Sequence, residues 1–140
     1  MRFKNKNAVV TGGAMGIGRA ISLAFAREGA RVAVVDLDAV QADDTVGIIG
    51  EAGGEAFSIA ADIGSAEQVG YMAAKIKDRF GTVDILANNA GSRIVKPFLE
   101  HTEEDWRQML DTNLTGHFLV CKALVPLMLE AGGGHIVNTC

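Results

Sequence analysis

Thr11-Gly12-Gly13-Ala14-Met15-Gly16-Ile17-Gly18 sits where an apolar strand, Asn7 to Val10, gives way to an amphipathic helix. A strand, a glycine-rich turn and a helix in that order make a phosphate-binding device. Glycine lets the backbone take φ > 0 and approach a ligand closely, while the unpaired N–H groups and positive dipole end of the helix attract an anion. A second cue lies 18 residues beyond Gly18, where Val32-Ala33-Val34-Val35 ends in Asp36. An acid at the C-terminal end of a second strand stands where the adenosine ribose hydroxyls of a dinucleotide would lie.

The rest of the chain alternates strand and helix, the pattern of a parallel sheet covered on both faces. Strands are expected near Asn7–Val10, Arg31–Val35, Glu55–Ala60, Asp84–Ala87 and His135–Thr139. Helices are expected near Gly16–Glu28, Ala39–Ala52, Ala66–Phe80 and Glu103–Glu130. Gly29, Gly53-Gly54, Gly81 and Gly132-Gly133-Gly134 stop the four helices, and Ser65 and Thr102 supply hydroxyl N-caps for the last two. The fold class is therefore α/β, a Rossmann-like doubly wound parallel sheet in one domain spanning 1–140, with no repeat and no internal boundary.

Composition agrees. A 140-residue chain with 49% hydrophobic residues, 17 glycines and only 2 prolines suits a compact α/β unit, one that buries about two-thirds of its unfolded surface. The net charge of −4 and the scattered 13 Lys and Arg residues give no basic stripe for nucleic acid or an anionic membrane. No apolar leader precedes the first strand and no run of 18 apolar residues follows, so the expected setting is cytoplasmic, without a membrane partner. There Cys121 and Cys140 are expected as reduced thiols.

The glycine spacing is G-x-x-x-G-x-G. Together with Asn88-Asn89-Ala90-Gly91 and Asn113-Leu114-Thr115-Gly116-His117-Phe118, it resembles the short-chain dehydrogenase/reductase family over nearly the whole chain, from about Lys4 to Cys140. The resemblance implies an NAD(P)-dependent oxidoreductase passing a hydride between nicotinamide and a small alcohol or carbonyl substrate. It also implies roles for single residues. Gly12, Met15, Gly16, Ile17 and Gly18 would form the phosphate turn, Asp62 and Ile63 the adenine edge, and Asn89, Ala90 and Gly91 the wall beside the adenosine ribose. Of the family's Asn-Ser-Tyr-Lys set, only Asn113 is matched as a catalytic residue, holding a water that connects the lysine to solvent. An amide suits that role because it donates and accepts without taking a proton; the alternative is an Asn tying helix to sheet.

By the same resemblance Cys140 takes the place of the first serine of an Asn-x-Ser-Ser run, and the catalytic Ser, Tyr and Lys would follow it. The chain then reads as the cofactor part of a longer enzyme, truncated after the fifth strand and inactive alone. The competing reading is a non-catalytic dinucleotide-binding fragment or interaction module. Tyr71-Met72-Ala73-Ala74-Lys75 satisfies Tyr-x-x-x-Lys, but Val69, Met72, Ala73, Ile76 and Phe80 cluster within about 60° of one direction on that helix. That leaves Tyr71 and Lys75 facing solvent, outside the site.

Asp36 decides the cofactor: a carboxylate accepts from the ribose 2′- and 3′-hydroxyls and repels the extra phosphate of NADP. Ala14, Met15 and Leu37 stand where NADP-preferring relatives carry Arg or Lys, so NAD is expected. Gly16→Val or Gly18→Val is expected to weaken binding while the fold persists. His117 and Cys121 have a two-ligand spacing, yet packing explains them better and no metal is expected. On the fourth helix, about 100° steps put Trp106, Leu110, Asn113, His117, Val120, Cys121, Leu124 and Met128 on one face, flanked by Leu114, Phe118 and Val125. That arc is wider than one sheet contact needs, and a homo-oligomer, dimer or tetramer, through this helix is expected.

Overall fold

Strand residues alternate between two buried sets, and that alternation builds the layers. In the computed structural model, which describes residues 1–139, β1 (Asn7–Thr11), β2 (Arg31–Asp36), β3 (Glu55–Ala60), β4 (Ile85–Asn88) and β5 (His135–Asn138) form one parallel sheet in the order β3-β2-β1-β4-β5. Cys140, expected to take the place of the first serine of an Asn-x-Ser-Ser run, lies outside the described residues. In the centre, Val9 pairs with Ala33 and with Leu86, and Val10 with Val34 and Ala87. Val9, Ala33, Val35 and Leu86 face one side, where they pack with Val69, Met72, Ile76 and Phe80 of α3 (Ala66–Phe80). Ala8, Val10, Val32 and Val34 face the other, against α1 (Gly16–Arg27) and α2 (Ala39–Glu51).

The sequence boundaries hold to within a residue or two for most elements, and Gly29, Gly53, Gly81, Gly132 and Gly133 do take positive φ where helices stop. The fourth expected helix is different. It runs continuously from Glu103 to Glu130 but divides into α4 (Glu103–Leu110), a π-helical stretch (Asp111–Thr115) and α5 (Gly116–Glu130). A π turn widens the helix by a residue and shifts the phase of everything after it, so a uniform wheel fails here. Trp106 is 61% exposed, Leu114 66% and Phe118 60%. Val120, Leu124, Leu127 and Met128 are buried, and Val125 packs partly against the same core. Among the described residues this is the helix long and apolar enough to span a bilayer by length and composition; its buried residues serve the sheet and α3 instead.

Asp105 secures the start of this helix. Its carboxylate accepts from Lys96 Nζ and from Thr102 N (2.8 Å), while Thr102 Oγ1 accepts from Asp105 N (3.1 Å). The Lys96 ammonium, then the Thr102 amide, hold the Asp105 carboxyl down from an ordinary 3.8 to about 2. A depressed carboxyl pKa contributes stability that is complete above the unfolded value and is lost as pH falls through the folded one. The first turn of α4 should therefore keep its hydrogen-exchange protection down to about pH 4 and lose it toward about pH 2, with Lys96→Met moving the loss to higher pH. A pH series of amide exchange at Asp105 and Trp106 checks this; a profile that Lys96→Met leaves unchanged would remove the ion pair from the account.

Candidate functional site

The C-terminal ends of β1, β2 and β4 and the start of α1 enclose a cleft of about 550 Å³, within the range of small-molecule sites. All twelve residues assigned above to the cofactor line it, with Val35, Ala61, Ser92, Gln108, Thr112 and Thr139. At its floor α1 begins with Met15 in extended conformation (φ −148°), without a capping side chain and without an acid in its first turn. Those first-turn N–H groups have no side-chain cap, and uncapped helix starts favour negative charge.

The glycines differ in what they do. Gly12 has φ +65°, and a Cβ there would lie 2.8 Å from Ala90 Cα. A Cβ on Gly18 would lie 1.9 Å from Gly12 O and 2.7 Å from Asn89 Nδ2. The helix start is thus pressed onto its own turn. Gly16, with φ +53°, has nothing within 4 Å of an added Cβ and opens on the cleft. The expectation that Gly18→Val would spare the fold is therefore corrected, because the obstruction is the protein's own backbone.

Thr11 and Arg19 organise the cleft and went unnoticed in the sequence. Thr11 Oγ1 accepts from Asn89 N (3.0 Å) and Ala90 N (3.1 Å), and Asn89 Nδ2 donates to Thr11 O at 3.3 Å and Gly12 O at 3.4 Å. Arg19 donates from Nε to Ala14 O (2.7 Å) and Thr45 Oγ1 (2.9 Å), and from Nη2 to Gln41 O (3.3 Å). The turn is thereby tied to β4 on one side and α2 on the other. A hydroxyl ending a strand and an Arg in a helix carry no sequence signal for these distant partners.

Asp36 stands at the end of β2, accepting at Oδ2 from Ala14 N (3.0 Å) and at Oδ1 from Asp38 N (3.1 Å). One bond to each oxygen leaves further acceptor capacity on both. Beside it Leu37 is 70% exposed, and Asp38 caps α2, where the Gln41 N–H holds its carboxyl below the ordinary range. Asp62 Oδ1 accepts from Gly64 N (2.8 Å), which fixes the carboxylate at the cleft edge. Ile63 is 4% exposed and fills the space beside Gly116, where a Cβ would come within 2.8 Å of its Cγ1.

Asn113 does not line the cleft itself. Its Oδ1 accepts from Ser92 N (2.8 Å) and its Nδ2 donates to Ser92 O (2.9 Å), so the amide holds the loop after β4 with both ends. Asn113 is exposed and ties the helix to this loop, rather than to the sheet as the alternative expected. Asn88 is buried and donates to Asn138 Oδ1 (3.0 Å) and Cys121 Sγ (3.2 Å), joining β4 to β5 and α5. Tyr71 and Lys75 line a different groove, beside β3 with Phe57 and Arg79; Tyr71 is 56% exposed and Lys75 Nζ lies 5.4 Å from its ring centre.

Gly18→Ala should cost at least about 2 kcal/mol of stability because backbone must move. Gly16→Ala should cost only about 1 kcal/mol for its left-handed φ. Urea denaturation of both variants separates them, and equal losses would contradict the distinction.

Comparison with known proteins accords with this geometry. The family model described as short chain dehydrogenase matches residues 6–140. D-threitol dehydrogenase of Mycolicibacterium smegmatis is 44% identical over 137 residues, covering 98% of this chain and 53% of that protein. Sorbitol dehydrogenase of Cereibacter sphaeroides is 38% identical over 139 residues, covering 99% of this chain and 53% of its own length. A solved 7α-hydroxysteroid dehydrogenase complexed with NADH and 7-oxo glycochenodeoxycholic acid superposes with a TM-score of 0.93 at 36% identity, over 98% of this chain and 53% of that one. The chain spans about half the length of these proteins.

Proposed function

Since the chain belongs to the short-chain dehydrogenase/reductase family, we propose that residues 1–140 are a single NAD-binding unit of an oxidoreductase acting on a small alcohol or its carbonyl counterpart. The observation that carries the reading is a carboxylate with spare acceptor capacity, Asp36, in the same cleft as an uncapped helix start. A dinucleotide has the matching pattern, an anionic pyrophosphate separated from a ribose diol.

The residues present fit the group. In this reading the first-turn amides of α1 bind the pyrophosphate, with Gly16 leaving room beside Met15 and Ile17. Asp36 accepts from the ribose hydroxyls at the end of β2, next to Leu37. Asp62 accepts from the adenine amino group, Ile63 closes that end against α5, and Asn89-Ala90-Gly91 form the facing wall. When bound, nicotinamide supplies the acceptor or donor of hydride. Asn113 orients the substrate side of the cleft by holding Ser92, acting on the loop rather than on a reacting atom.

Choice of NAD over NADP rests on charge. Asp36 would repel a 2′-phosphate, and Arg19, the nearby guanidinium, is engaged with Ala14 O, Thr45 Oγ1 and Gln41 O. The polyol substrates in two relatives' names support testing D-threitol and sorbitol first. The exposed Leu114 and Phe118 support association of copies through this helix. The chain alone is proposed to bind without turnover, since among the described residues no tyrosine–lysine pair reaches the cleft.

Isothermal titration with NADH and NADPH tests the central choice. NADH should bind at least tenfold tighter, about 1.4 kcal/mol, and Asp36→Ala should erase the difference. Equal affinities in the unmodified chain would defeat the assignment of Asp36.

A further inference from the structure

The amides along the wall of the cleft are held by the protein at every position but one. Asn89 N and Ala90 N donate to Thr11 Oγ1, and Ser92 N donates to Asn113 Oδ1. Among the described residues no acceptor meets the N–H of Gly91, which lines the cleft. Its peptide is nevertheless anchored by its other end. His117 Nε2 lies 2.8 Å from Ala90 O, and because a carbonyl oxygen only accepts, Nε2 carries the hydrogen.

A trans peptide is planar, with C=O and N–H pointing in opposite directions. Drawing the Ala90 carbonyl toward α5 therefore turns the Gly91 N–H the opposite way. We propose that His117 is a positioning residue for the bound dinucleotide: through Ala90 it fixes the orientation of the Gly91 N–H, the one wall amide left free to donate to a ligand. This rests on the reading of the cleft as a dinucleotide site. The π-helical stretch before Gly116 and the seating of Gly116 against Ile63 set where α5 starts, and Asn88 Nδ2 donates to His117 O at 3.5 Å. The ring is thus presented to Ala90 from a fixed backbone. The spacing of His117 and Cys121 that fits a metal is used otherwise, since Cys121 Sγ accepts from Asn88.

The test uses the 140-residue chain with His117→Leu, which removes the donor at similar bulk, and His117→Gln, which restores an N–H donor. Fluorescence titration with NADH should show affinity reduced by about three- to thirtyfold in His117→Leu, a loss on the scale of one hydrogen bond, and recovered to within about twofold by His117→Gln. In the free protein the Gly91 amide resonance should shift in His117→Leu and return toward its original position in His117→Gln. The imidazole ¹⁵N spectrum of the unmodified chain should show hydrogen on Nε2. Unchanged NADH affinity in a folded His117→Leu chain, an unmoved Gly91 resonance, or a ring protonated only on Nδ1 would each overturn the proposal. If the unmodified chain fails to bind NADH at millimolar concentration, the reading of the cleft fails, while the two ligand-free spectra still decide the role of His117.

Discussion

The first turn of α1 rests on the carbonyl of Gly12 more closely than any side chain would permit, with 1.9 Å available where a Cβ on Gly18 would stand. The rest of the site depends on that contact. It sets how far the helix start can sit from β1, which leaves the uncapped amides facing the cleft instead of packing beneath it. It also brings the turn within reach of Asn89, whose side chain donates to both Thr11 O and Gly12 O. A helix displaced by even a methyl group's thickness would separate the uncapped amides from the wall beside them.

The sheet supplies the rest of the geometry. With β1 at the centre of the order β3-β2-β1-β4-β5, the helices after β1 and β4 leave on opposite faces and part above the strand ends, where open α/β sheets bind ligands. The cleft is this parting. Thr11 bridges it at its base, Asp36 stands on one rim, and Ser92, held by both ends of the Asn113 amide, stands on the other. Asp36 is held by backbone amides and Ser92 by a side-chain amide, so the cleft is shaped before a ligand enters, and little ordering remains to oppose binding.

The strands and glycine turn could be read from the sequence because their signals are local: alternating Val and Ala in a buried parallel strand, glycines where φ must be positive, and an acid ending β2. Residues that act across the fold were silent. Thr11 meets Asn89 over a separation of 78 residues and Arg19 meets Thr45 over 26, and neither periodicity nor composition encodes such a pair. The π-helical stretch was hidden for another reason. Asp111–Thr115 has no breaker residue to mark it, and it lies between α4, capped at Thr102, and Gly116, which sits against Ile63. A uniform helical wheel consequently assigned Trp106 to the same face as Leu124, whereas one is exposed and the other buried.

The central claim is that the anion-binding start of α1 and the carboxylate of Asp36 act on one ligand in one cleft. An amide chemical-shift map of the chain titrated with NAD tests it most directly. The account predicts the largest changes together at Gly16, Ile17 and Gly18 and at Asp36 and Leu37, saturating at a single ligand concentration. Changes centred instead on Tyr71, Lys75 and Arg79, in the groove beside β3, would contradict it.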